Sequence, residues 1–118
     1  MGKEDRYRVI PPAEQHRSSR GTVALEGEPY GSGVSLFLID YVKPGEGPKL
    51  HKHPYAETWI VREGRARFTV ADATIEAMPG DVVVCAPETP HKFENSGPGR
   101  LDIICIHPSP RFIQEDLE

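Results

Sequence analysis

The sequence predicts an all-β domain, a sandwich or barrel of short antiparallel strands. Three observations carry that expectation. Apolar, β-branched runs recur with a turn signal roughly every 8 to 12 residues. Eleven Gly and twelve Pro fall between those runs rather than in one tract, as tight turns require. No stretch of the barrel region shows the 3.6-residue periodicity of an amphipathic helix. A length of 118 residues fits one domain with a core of modest size. An apolar share of 37% suits a thin shell of strands better than a helical bundle.

Taken in order, residues 1–20 form a polar arm with Pro11-Pro12 and Arg17-Ser18-Ser19-Arg20, in which Tyr7 to Ile10 is a candidate edge strand. Residues 21–108 form the barrel. Val34 to Val42 is a long apolar run that Lys43-Pro44-Gly45 stops. Thr58 to Val61 is short and β-rich, and Arg62-Glu63-Gly64 turns the chain. Arg65 to Val70 alternates polar with apolar, the signature of a strand wet on one face. Ile75 to Ala77, Val82 to Cys85, His91 to Phe93 and Leu101 to Ile106 complete the core strands. Residues 109–118 are a tail. Ser109-Pro110 there reads as an N-cap with Pro at the first helical position, so a short helix over Arg111 to Glu115 is expected.

A formal net charge of −4 with no dense Lys/Arg stripe argues against nucleic acid as the main partner, and a small-molecule ligand or substrate is expected instead. No apolar run approaches membrane-spanning length, and the charged opening from Met1 to Arg6 leads into no apolar leader segment. A cytoplasmic protein is expected. Cys85 and Cys105 each sit in an apolar run and read as reduced core residues.

The chemistry concentrates in four residues. His51 and His53 are two apart, so on a strand they share a face about 6.6 Å apart. Imidazoles at that separation can lean together until both nitrogens lie about 2.1 Å from one ion. Glu57 keeps the same parity beyond a bend at Pro54-Tyr55-Ala56, and His91 arrives from a distant strand after the Pro87–Pro90 loop. Three imidazoles and one carboxylate suit one divalent transition metal (Fe, Mn, Ni, Co or Zn) rather than calcium or a thiolate metal. Such ions take five or six ligands, so positions remain for water or substrate, as in a catalytic site.

These residues and the glycines around them resemble the cupin superfamily. Its first motif, G(X)5HXH(X)3-4E(X)6G, is matched by Gly45, His51, His53, Glu57 and Gly64. Its second, G(X)5PXG(X)2H(X)3N, is matched by Gly80, His91 and Asn95, with Ala86 where the family has Pro and Glu88 where it has Gly. The resemblance implies a double-stranded β-helix, or jelly-roll barrel, of the small single-domain type. It places the metal near one end of the cavity. It also implies a homodimer made by exchange of strands and tails.

Trp59 shares the parity of Glu57, and with Phe68 and Phe93 it is a candidate for an apolar pocket over the metal, ordinary core packing being the other reading. Asn95 shares a face with His91 and is a pocket candidate whose commoner task is to satisfy a turn. Tyr55 and Glu88 lie on loops beside the ligands, where a gate or base could stand. His107 ends the last core strand; a fifth metal contact is conceivable, but a surface position is the stronger expectation. Arg65 and Arg67 read as a solvated face.

Two functions fit. One is a metal-dependent enzyme acting on a small organic molecule. With Fe(II) it would be dioxygenase-like; with Zn(II), Mn(II) or Ni(II) it would be a Lewis-acid isomerase, cyclase or decarboxylase, Glu57 serving as ligand and candidate base. The other is a non-catalytic cupin that binds or senses a small ligand. The fold alone does not choose between them.

Overall fold

The computed structural model describes residues 6–118. The charged opening of residues 1–5 lies outside the described residues. Among the described residues eleven strands follow one another: β1 (His16–Arg17), β2 (Val23–Leu25), β3 (Ser35–Tyr41), β4 (His51–Lys52), β5 (Glu57–Glu63), β6 (Ala66–Val70), β7 (Ala73–Ala77), β8 (Val82–Cys85), β9 (His91–Asn95), β10 (Leu101–His107) and β11 (Glu115–Asp116). They form two antiparallel sheets, ordered β1-β2-β3-β10-β5-β8 and β11-β4-β9-β6-β7. This is the all-β architecture that the strand pattern predicts, and two such sheets are consistent with the jelly roll that the motif resemblance implies.

The period of two in the sequence becomes the division between inside and outside. Along β5, Glu57, Trp59 and Val61 are buried while Arg62 is exposed; along β10, Leu101, Ile103, Cys105 and His107 all point inward. Inward residues of both sheets meet in one core, built around Trp59, Phe68, Phe93, Leu101 and Ile103. Both cysteines are buried and unpaired, as their apolar surroundings imply. Among the described residues no helix is long and apolar enough to cross a membrane.

Turn chemistry fixes the register. Gly64 has φ +84°, and a Cβ there would come 2.2 Å from the carbonyl oxygen of Arg100. The residue must therefore be glycine on two counts. The motif glycine that is missing from the β8–β9 turn has a conformational echo: Glu88 sits at φ 58°. Its N–H donates to the carbonyl of His53 at 2.7 Å. The left-handed turn is thus kept with a non-glycine residue, and it still delivers His91 to β9.

Two expectations need correcting. Tyr7 to Ile10 forms no strand; the arm instead pairs through His16 and Arg17 with β2. Residues 109–118 contain no helix. Ser109 is buried, its carbonyl accepts from the Ser35 hydroxyl at 2.7 Å, and the chain runs on extended until β11 pairs with β4. Phe112 stacks on Phe37 with ring centroids 4.2 Å apart. That aromatic contact and the strand pairing outweigh the helix-start signal, since local propensity is a weak prior against tertiary contacts.

Candidate metal centre

Each of the four residues reaches the site for a local reason. His51 and His53 bracket the end of β4, and the pairing of β4 with β9 sets His51 directly opposite His91. Glu57 opens β5 after the bend at Pro54, facing inward with Trp59 and Val61. The chain thereby gathers His51, His53, Glu57 and His91 so that one ligand atom from each lies within 4.8 Å of the others. All four are buried.

The rings are oriented by the backbone. Nδ1 of His51 faces the carbonyl of Lys49, that of His53 the carbonyl of Ile113 at 2.7 Å, and that of His91 the carbonyl of Thr89 at 2.9 Å. A carbonyl only accepts, so each Nδ1 carries the proton and each Nε2 presents a lone pair inward. Nε2 of His53 is buried without an aligned hydrogen bond, although Oε1 of Glu57 is 3.0 Å away. Nε2 of His91 lies 3.2 Å from that same oxygen. Lone pairs facing a carboxylate in a dry pocket repel unless a cation or protons stand among them. The donor set therefore fits a divalent metal ion of the nitrogen- and oxygen-loving kind.

The electrostatics agree. Burial alone would push the Glu57 carboxyl up; in the metal-free site, hydrogen bonds from protons on Nε2 of His107, His53 and His91 outweigh it and hold the group well below the usual carboxylate range, the stabilisation of the carboxylate that a cation would otherwise give. Burial also pulls His51 down, more than the Lys49 carbonyl restores. Burial works the same way on His53, yet Glu57 and the Ile113 carbonyl together lift it. With three rings around it, Glu57 is better suited to a fixed ligand than to the mobile base that the sequence suggests.

A cavity of about 200 Å³ opens beside this cluster. His51, Glu57 and His107 form its polar end, and Phe37, Ile39, Tyr41 and Phe93 most of its apolar wall. Of the residues expected to make a pocket, Phe93 does so. Trp59 and Phe68 are fully buried behind the site instead, with Trp59 edge-on to the His91 ring at 5.1 Å. Asn95 closes a turn: its amide donates to the carbonyls of Tyr41 and Gly99, and its oxygen accepts from the N–H of Gly97. Tyr55 stacks on His53, 5.1 Å between centroids. Glu88 points out and pairs with Lys52 at 3.4 Å. Arg65 and Arg67 lie on the outer surface against Glu76.

His107 is the main correction. It is 1% exposed rather than at the surface, and its Nε2 lies 3.1 Å from Oε2 of Glu57. The pairing of Ile106 with Thr58 places it one step further, beside Glu57. Its parity with Ile103 and Cys105 was the available signal. Phe37 and Gln114 line the cavity without any sequence signal having marked them.

Residues 39–107 match the family described as the cupin domain. An uncharacterised protein of Methanocaldococcus jannaschii is 36% identical over 88 residues, 73% of this chain and 70% of that one. Among solved structures, oxalate decarboxylase of Lactobacillus farciminis superposes with a TM-score of 0.73 at 22% identity, over 87% of this chain and 33% of that one. The Bacillus subtilis oxalate decarboxylase studied for its Mn(II) centres gives 0.75 at 22% identity, over 87% and 29%. An oxalate oxidase in complex with the substrate analogue glycolate gives 0.75 at 16% identity, over 98% and 65%. The chain thus spans about a third of the oxalate decarboxylases it resembles, and at these identities the likeness is one of fold.

Proposed function

The chain belongs to the cupin family, and on that premise we propose that it is a metal-dependent enzyme acting on a small, largely apolar molecule bearing oxygen donors. One observation carries this reading: the cavity ends on His51 and Glu57 of the metal cluster while the rest of its wall is mostly aromatic and aliphatic. A 150 Å³ apolar cavity holds benzene, so 200 Å³ suits a single ring or a short chain. No lysine or arginine lines the cavity among the described residues, which disfavours a small dianion such as oxalate.

A bound ion of this class would supply redox exchange with dioxygen or Lewis-acid polarisation of a carbonyl. His51, His53, His91 and Glu57 would hold it, and Phe37, Ile39, Tyr41 and Phe93 would exclude water and orient the ligand. The protein offers little acid–base chemistry of its own there. Burial pushes the Tyr41 hydroxyl up to about 12 and the Cys105 thiol well above its usual range. Both stay protonated at neutral pH, so neither serves as a base there, and His107 is the imidazole outside the cluster that lines the cavity. That scarcity of acid–base groups favours the second reading, a cupin that binds a small ligand without converting it.

Elemental analysis of the purified chain is expected to find one divalent transition metal per chain, and His51→Ala with His91→Ala should abolish it. Metal retained by the double variant, or absent from reconstituted wild type, overturns the reading. Fe(II)-loaded protein should consume dioxygen with catechols, diketones or thiols; a co-purified molecule released unchanged, with no uptake, favours the ligand-binding alternative.

A homodimer is also proposed. Outward side chains of the larger sheet form an apolar row, Leu38-Ile104-Ile60-Val82, and a second row, Leu36-Ile106-Thr58-Val84, that only Thr58 interrupts. Val82 and Val84 are exposed, and a second copy would cover them.

A further inference from the structure

The two nitrogens of His107 face different partners. Nδ1 lies 2.6 Å from the Tyr55 hydroxyl, and Nε2 lies 3.1 Å from Oε2 of Glu57. The other carboxylate oxygen, Oε1, faces Nε2 of His53 and of His91 at 3.0 and 3.2 Å. Glu57 is therefore divided, one oxygen toward the metal cluster and the other toward a residue outside it.

An ionised carboxylate only accepts, so the contact with His107 is favourable when Nε2 carries the proton. A neutral ring protonated there leaves Nδ1 as an acceptor, and the Tyr55 hydroxyl can donate to it. The N–H of Ile113 donates to that hydroxyl oxygen at 3.3 Å. With one lone pair so occupied, the hydroxyl is free to turn its hydrogen to the ring. Nε2 of His107 is buried and lacks an aligned hydrogen bond. Glu57 is the acceptor beside it, and a small turn of the carboxylate would satisfy both groups.

We propose that His107 is a positioning residue of the metal centre. Its Nε2–H, with the tautomer set by Tyr55, holds Oε2 of Glu57 off the ion so that Glu57 binds through Oε1 alone. The proposal rests on the reading of the cluster as a metal site. Binding through a single oxygen would take up one coordination position rather than two, and His107 itself lines the cavity beside the cluster.

The test uses the full chain loaded with Zn(II) for nitrogen-resolved NMR and with Co(II), whose visible absorption reports coordination number. In Zn(II)-loaded wild type, His107 is expected to be protonated on Nε2 alone; a proton on Nδ1 alone, or on both nitrogens, overturns the proposal. His107→Phe should lower Co(II) affinity by about 10- to 100-fold and weaken the absorption as Glu57 swings to two-oxygen binding. His107→Gln, whose amide can donate from the same place, should recover both. An unchanged spectrum in His107→Phe, or a loss that His107→Gln does not recover, overturns the assignment. Should His107→Phe not fold, the wild-type NMR result decides alone. Failure of wild type to take up either ion would remove the metal reading itself, which separates the two outcomes.

Discussion

At the scale of single residues, the three cluster histidines share one device: each spends its Nδ1 proton on a backbone carbonyl and turns Nε2 inward. A ligand ring must be neutral, so acid competes with metal. Occupancy should fall as pH drops below about 6, with His53 protonating before His51 because Glu57 lifts the one and burial lowers the other. Unchanged occupancy at pH 5, measured by elemental analysis after dialysis, would count against a three-histidine site. In the metal-free barrel two signs oppose. The depressed carboxyl of Glu57 gives stability that is present above about 4.5 and lost as pH falls. The lifted ring of His53 gives stability that is present below about 6.5 and lost as pH rises. His51, His53 and Glu57 were legible because their spacing is local. His107 was not, because its burial depends on which strand lies beside β10, and pairing partners are set by long-range contacts.

At the scale of elements, the β8–β9 turn shows how a motif survives a lost glycine. A left-handed non-glycine residue costs about 1–2 kcal/mol, and Glu88 carries that cost at φ 58°. Glu88→Gly should therefore raise Tm by a few degrees. Part of the gain is offset by the freer unfolded chain, and the exposed ion pair with Lys52 contributes little. A lower Tm by calorimetry would show that Glu88 supports the turn in another way. The tail teaches the opposite lesson. Ser109-Pro110 carries a real helix-start signal, yet the segment is extended because Phe112 finds Phe37 and Leu117 N–H finds the carbonyl of Leu50. The succession of strands from β5 to β10 was legible because turn signals separate the apolar runs there. β1, β2, β4 and β11, of two or three residues each, are too short to carry a periodic signal.

At the scale of the whole molecule, the two sheets differ outside. The smaller sheet carries a charged outer surface, with Arg67 between Glu76 and Glu94. The larger one carries the two rows, in which Val82 and Val84 are exposed and the other side chains half-buried, and exposed apolar patches mark association surfaces. Val84→Glu should convert a dimer to a monomer in size-exclusion chromatography with light scattering, with little change in Tm, because Val84 is solvent-facing within one chain. Wild type already monomeric at tens of micromolar, or a variant that stays dimeric, would rule out this face. The all-β class followed from composition and turns alone. The apolar outer face did not, because alternation in Leu36 to Leu38 and Ile103 to Ile106 is erased where both faces are apolar.

The carbonyl that orients His53 belongs to Ile113, sixty residues downstream, and β11 reaches the β4 strand that begins with His51. As the chain leaves the ribosome at about 5–20 residues per second, His53 emerges seconds before the Ile113 carbonyl that orients it. On the reading of the cluster as a metal site, a nascent chain stalled before Ile113 would display His51 and His53 with the His53 ring not yet oriented.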